Sequence, residues 1–200
     1  MTYSSNLTYG LRVARTKEFD PERAVAAAMR LFWRNGYAAT TPQQLVEELG
    51  IGRGSLYNAF GSKRGLFELA LRHYYEHETM RLIEVLEGLE PPRERLRKAL
   101  SLVVEAARTD RRGCLVANTA VELAADETVG PLVRRILDRQ EAAFRGVIEE
   151  GQRAGDVAGG DAGALAALFL ATINGIRVLA KADPDSPRLD GLAGAALRAL

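Results

Sequence analysis

The sequence predicts an all-α protein, with a small head of three short helices followed by a larger helical body, about nine helices in all. Three observations carry this expectation. Apolar residues recur at i, i+3, i+4 and i+7, capping residues and glycines punctuate the chain at helical intervals, and no segment alternates apolar and polar residues over strand length.

The elements follow in order. Asp20-Pro21 is a capping residue with proline at the first helical position, where no backbone donor is lost. Val25, Ala28, Met29 and Phe32 then form one buried stripe, and Asn35-Gly36 stops the helix. Thr41-Pro42 opens a second helix, with Gln44 placed for a capping box and Leu45, Val46 and Leu49 facing inward. Gly50 ends it after about two turns. A third short helix follows Gly52, and Ser62 caps a long fourth through Leu66, Phe67, Ala70, Leu71 and Tyr74. The prolines of "EGLEPPRE" (87–94) break the pattern. Beyond them, helices are expected near 93–108, 114–124, 130–151, 162–181 and 187–199, with a glycine-rich loop between Gly151 and Asp161.

A hydrophobic content of 47% is ample for a packed core, and one cysteine excludes an internal disulfide and fits a reducing compartment. The leading residues lack the apolar run of a signal peptide. The most apolar stretch, Ala162 to Ile176, reads as too short to span a bilayer before Arg177, so a soluble, cytoplasmic chain with no membrane partner is expected. The net charge of +1 hides an asymmetry: residues 1–66 carry nine Lys/Arg against five Asp/Glu, and the rest eighteen against twenty-one. A basic first third suggests a polyanion contact at one end, with a solvated basic face as the alternative. No nucleophile elbow, phosphate-binding glycine loop or close carboxylate–histidine group is present, so no enzyme, catalytic residue or cofactor is expected.

The segment "IGRGSLYNAF" (51–60) places two glycines at the start of a helix, each about 1 kcal/mol less favourable than alanine. On a helical wheel with Leu56 and Phe60 inward, Gly54 and Asn58 point outward, flanked by Ser55 and Tyr57, with Arg53 at the margin. That face offers donors and acceptors, little bulk and no acid, which suits the DNA major groove. The preceding helix and the tight Gly50-Ile51 turn complete a helix-turn-helix. Free amides near Thr41, with the Thr40 and Thr41 hydroxyls, could hold a phosphate, and Lys63 supplies a second backbone clamp. Tyr57 reads as a phosphate contact, with core packing as the alternative.

Residues 19–71 resemble the N-terminal DNA-binding domain of the tetracycline-repressor (TetR) family. The resemblance rests on Gly36-Tyr37, Thr40-Thr41, the Gly50-Ile51 turn, Gly54-Ser55-Leu56-Tyr57, Phe60 and Ser62-Lys63. It implies a homodimeric, ligand-released transcriptional repressor that binds double-stranded operator DNA. By position it points to Thr41, Gln43, Arg53, Gly54, Ser55, Tyr57, Asn58 and Lys63 as DNA contacts, to which Thr40 and Gly52 are added. Gly52, Asn58-Ala59 and Gly61 depart from frequent family residues, and this bears on which operator is read. The implied organisation is a flexible basic tail over 1–18, a DNA-binding domain over 19–66, and a regulatory ligand-binding and dimerisation domain over 67–200. Arg12, Arg15 and Lys17 of the tail could touch phosphate or the minor groove, or the tail is an inert leader.

"RRGCLVANTAVEL" (111–123) and "PLVRRILDRQEAAFRGVIEEG" (131–151) look like parts of a TetR regulatory domain. The latter carries two stripes, Leu132, Ile136, Ala143, Val147 and Val133, Leu137, Phe144, Ile148, and so needs neighbours on two sides. The helix from Asp161 is apolar nearly all round, and the resemblance implies that the last two helices form a four-helix bundle with a second copy. Candidate pocket residues for an unidentified small-molecule effector are Tyr74, His77, Cys114, Asn118, Phe144, Asn174 and Arg177. Asn174 and Arg177 are polar groups in an apolar helix and need partners, which for Arg177 could be an anionic ligand or an intersubunit salt bridge. Cys114 reads as a small buried core residue, with a redox or electrophile sensor as the alternative. His73 and His77 share a helical face but have no evident third ligand, so no metal is expected.

Overall fold

The computed structural model describes residues 19–200, which form ten α-helices. The tail expectation, with Arg12, Arg15 and Lys17, falls outside the described residues. The head comprises α1 (Pro21–Asn35), α2 (Pro42–Leu49) and α3 (Arg53–Phe60), and α4 (Lys63–Tyr74) leads out of it. The body contains α5 (Met80–Leu86), α6 (Pro92–Thr109), α7 (Leu115–Leu123), α8 (Val129–Ala154), α9 (Ala162–Ala182) and α10 (Arg188–Arg198).

The local signals act as their chemistry requires. The Asp20 carboxylate accepts from the Glu22 and Arg23 amides at the start of α1. At α2 the capping box is complete: Thr41 Oγ1 accepts from the Gln44 amide, and Gln44 Oε1 accepts from the Thr41 amide. Gly50 closes α2 in the left-handed region at φ +63°, where a β-carbon would be strained. Ser62 Oγ accepts from the Gly65 amide to start α4.

One difference concerns the long fourth helix. It is a continuous rod, but residues Tyr75–Thr79 form a π-turn that divides it into α4 and α5. This turn accounts for ten helices rather than about nine. An extra residue in the turn rotates α5 relative to α4, so that Thr79 is buried along with Leu82, Ile83 and Leu86.

The interior has two apolar clusters. The first holds Phe32, Trp33, Leu45, Leu56, Phe60, Phe67 and Leu71, together with Cys114, Leu115 and Val116 at the start of α7 and Val129, Leu132, Val133 and Ile136 of α8. The second holds residues of α5, α6, the far half of α8, α9 and α10. Aromatic edges pack the first cluster: Phe32 meets Phe67 edge-on at 4.9 Å, and Trp33 meets Tyr74 at 4.9 Å. Truncating such a buried ring typically costs about 3–5 kcal/mol.

Both stripes of α8 face inward as expected. α9 departs from expectation: it runs 21 residues and is long and apolar enough, by length and composition, to cross a membrane. Here it lies along α8, α6 and α10 and buries Ala166, Phe169, Ile173, Ile176 and Ala180. Its other face, with Ala164, Ala167, Leu168, Ala171 and Val178, is exposed.

Candidate nucleic-acid interface

Leu56 is fully buried and Phe60 nearly so, and Phe60 lies against Phe19 at 5.9 Å. These anchors turn the other side of α3 outward. Gly52, Arg53, Gly54, Asn58 and Ala59 are exposed, and Ser55 and Tyr57 are half-buried. Tyr57 packs partly on the head core, and Arg53 lies over its ring at 5.8 Å. The packing alternative thus holds in part, while the rest of the ring stays at the surface beside Arg53. A β-carbon on Gly54 would meet no atom within 4 Å, so nothing inside the chain requires glycine there. α3 also begins without a side-chain cap, which leaves its first amides free for an acceptor outside the chain.

At α2 the geometry corrects part of the expectation. Thr40 is buried, and its hydroxyl donates to the Gly36 carbonyl at 2.7 Å, so that hydroxyl is committed to the α1–α2 turn. The Thr41 amide donates to Gln44 in the capping box, and the Thr41 hydroxyl oxygen accepts there from the Gln44 amide, which leaves the hydroxyl proton free for an acceptor outside the chain. Since Pro42 has no N–H, the Gln43 amide is the first one left for a phosphate. The Gln43 side chain is exposed and donates to Glu47 at 2.7 Å. Lys63 is half-buried with its ammonium 4.3 Å from the centre of the Tyr37 ring. Burial lowers its pKa, and the nearby Glu122 carboxylate partly offsets that.

The body brings together some of the effector candidates. Tyr74, Cys114 and Arg177 lie close enough together to act on one another's ionisation. Burial, followed by Cys114, raises the Tyr74 pKa well above the ordinary phenol value. For Arg177, burial opposes the charge, but Cys114 and Tyr74 more than offset it, and its pKa is raised. Cys114 is buried, and its sulfur accepts from the Ala117 amide at 3.5 Å as the N-cap of α7. Asn118 donates to the Arg112 carbonyl at 3.0 Å, beside this group. Asn174 donates to Leu170 at 2.9 Å, while its own side-chain oxygen is buried without a partner.

Two candidates stand apart. His77 is exposed and stacks on His73 with ring centres 4.0 Å apart, and Phe144 lies in the second cluster against Phe169. Among the described residues, no three His, Cys, Asp or Glu side chains gather as a metal site.

Sequence reasoning missed two polar groups. Gln140 is buried on α8 with both side-chain polar atoms unpartnered. The available signal was its place between Ile136 and Phe144 on an otherwise apolar face. Glu122 of α7 reaches the head, with no signal in the local pattern.

A two-helix unit with a tight turn and a bare, polar outward face on its second helix defines a helix-turn-helix DNA-binding protein. The comparisons agree. Residues 24–70 match the family described as bacterial regulatory proteins, tetR family, and residues 92–195 match the tetracyclin repressor-like C-terminal domain. The chain is 31% identical over 187 residues to the HTH-type transcriptional regulator YezE of Bacillus subtilis (strain 168), covering 88% of this chain and 94% of that protein. It is 39% identical over 102 residues to the transcriptional repressor BdcR of Escherichia coli (strain K12), covering half of each. Among solved structures, a cysteine mutant of the TetR family regulator CifR, complexed with 26-bp double-strand operator DNA, superposes with a TM-score of 0.83 at 33% identity. That match covers 92% of this chain and 99% of CifR. A TetR regulator from Chloroflexus aurantiacus J-10-FL gives a TM-score of 0.79 at 27% identity, over 88% and 91% of the two chains. The chain belongs to the TetR family and is a DNA-binding transcriptional regulator.

Proposed function

We propose that this chain is a homodimeric repressor that binds a two-fold operator and is released from it by a small hydrophobic or amphipathic effector. The observation that carries the operator reading is Gly54: a helix-weakening glycine, exposed, with open space around it. Its use must lie outside the chain, and close approach to a DNA backbone or base edge supplies one. Residues 19–66 would bind DNA and residues 67–200 would sense and dimerise. On this reading Arg53, Ser55, Tyr57 and Asn58 face the groove, while Gln43 and Lys63 hold phosphate. Asn58 is suited to paired hydrogen bonds with adenine.

The apolar outer face of α9 supports dimerisation through the last two helices. Leu168 is 44% exposed and Val178 57%, and Gly175 and Gly191 have open space where a second copy could approach closely. The polar group of Tyr74, Cys114 and Arg177, in which Tyr74 and Cys114 are buried, supports an effector site between α4, α7 and α9. The effector must favour the form that does not bind DNA, since equal affinity for both forms shifts nothing.

The test is selection of DNA from a random pool by the purified protein, followed by a gel shift with the selected sequence. A two-fold sequence bound by two copies supports the reading. Recovery of no preferred sequence, or binding as one copy, overturns it.

A further inference from the structure

We infer that Glu122, near the end of α7, is a positioning residue for DNA recognition, because its carboxylate latches the turn between α1 and α2 and so sets the orientation of the head on the body. Glu122 Oε2 accepts from the Tyr37 amide at 2.8 Å and the Ala38 amide at 3.3 Å. These consecutive amides form a small anion-holding concavity, filled here by a carboxylate from a distant part of the chain. Gly36 is shaped for it: φ is +83°, and a β-carbon there would lie 2.2 Å from Glu122 Oε1. The latched turn is stiff, since Gly36 and Tyr37 carbonyls accept from the Thr40 hydroxyl and amide. It is tied to α4 through Tyr37, whose ring lies 4.9 Å from Phe67 and below the Lys63 ammonium.

The latch is one of several contacts that a single stretch, residues 110–126, makes with the head and the start of α4. At its start, Trp33 Nε1 donates to the Gly113 carbonyl at 3.1 Å, and Arg112 lies 3.8 Å over the same indole. At its end, Asp126 pairs with Arg64 of α4 at 2.8 Å. The Cys114 and Asn118 side chains stand on this stretch, and Gly113 lies against Arg177 and Lys181 of α9. A shift of α7 therefore reaches the α1–α2 turn directly, in parallel with the rod of α4 and α5.

The inference rests on the dimeric operator reading, and the experiment keeps the two separate. The selected operator is rebuilt with one base pair added or removed between half-sites, and as an isolated half-site. Binding of each is measured by fluorescence anisotropy. Wild type should prefer its own spacing, because two fixed heads must meet successive grooves. Glu122→Ala should bind the isolated half-site as wild type does, yet lose about tenfold of the spacing preference, a change of the size of ordinary intersite couplings. Glu122→Gln keeps an acceptor oxygen for both amides and should retain most of the preference. If the alanine variant does not fold, Glu122→Asp takes its place, since the shorter side chain withdraws the carboxylate from the turn. An unchanged spacing profile overturns the inference, as does an equal loss of affinity for the half-site and every spacing. A wild-type protein indifferent to spacing would instead count against the dimeric operator reading.

Discussion

At Gly54 a methyl group would touch nothing in this chain, yet the position carries the residue that most weakens a helix after proline. Stability and function therefore separate there. Gly54→Ala should raise the unfolding free energy by about 1 kcal/mol while weakening operator binding. Gly54→Glu should remain folded by circular dichroism and lose at least about 100-fold in affinity, since a like charge against DNA costs several kcal/mol. Undiminished affinity in a folded Gly54→Glu protein would displace α3 from the groove. Gly36 is the opposite case, where the chain itself requires the glycine. Gly36→Ala suffers both the strain of φ +83° and the collision with Glu122. Only the collision disappears in a Glu122→Ala background, so a double-mutant cycle by urea unfolding should show a coupling of about 1 kcal/mol or more.

Among the elements, the junction of α7 and α8 concentrates the electrostatics between head and body. The Asp126 carboxylate accepts from the Val129 and Thr128 amides at 3.0 Å each, and from the Thr128 hydroxyl at 2.9 Å, while pairing with Arg64. The backbone amides, and then Thr128 and Arg64, hold its pKa below the ordinary aspartate value. A depressed folded pKa lends stability that is full above the unfolded value, about 3.9, and is lost as pH falls from there through the folded value. Wild type should therefore lose thermal stability on acidification through this window, and Asp126→Asn should be less stable at neutral pH with a shallower acid dependence. Identical melting curves against pH for the two proteins would remove Asp126 from the account. The rod of α4 and α5 differs in kind. Its π-turn at Tyr75–Thr79 falls where Tyr75 packs against both apolar clusters, so the helical phase changes where the core changes.

For the whole molecule, the exposed apolar face of α9 makes a prediction about assembly. Within one chain α9 buries Ala166, Phe169, Ile173, Ile176 and Ala180, while Ala164, Ala167, Leu168, Ala171 and Val178 stay exposed. That much apolar surface on one helix calls for a cover, and a second copy presenting the same face closes a two-fold interface. Val178→Asp should shift the protein from dimer to monomer in sedimentation velocity. Operator affinity should fall sharply with it, while binding to an isolated half-site persists. A Val178→Asp protein that still sediments as a dimer would move the interface away from α9.

How much of this was legible in the sequence follows the range of the forces involved. Helix starts and stops came from local chemistry: Asp20, Thr41 with Gln44, Ser62, Gly50 and the prolines each act within four residues of themselves. The outward face of α3 was legible too, because Leu56 and Phe60 as anchors determine by 3.6-residue periodicity what lies opposite. The sequence by itself thus determined the all-helical class, the helix-turn-helix and its polar face. What only the tertiary structure decided is how distant segments meet. Thr40 looked like a free hydroxyl until the α1–α2 turn claimed it. His77 and Phe144 occupy helical positions compatible with a pocket, but only the packing shows that His77 is exposed beside His73 and that Phe144 lies on Phe169 in the second cluster, whereas Tyr74 and Cys114 lie in the first. Glu122 reads as an ordinary solvated carboxylate, and its two acceptor contacts lie 85 and 84 residues away in the chain. No periodicity encodes such a contact, because it arises when two already formed helices dock and a carboxylate finds backbone amides left free by a glycine turn.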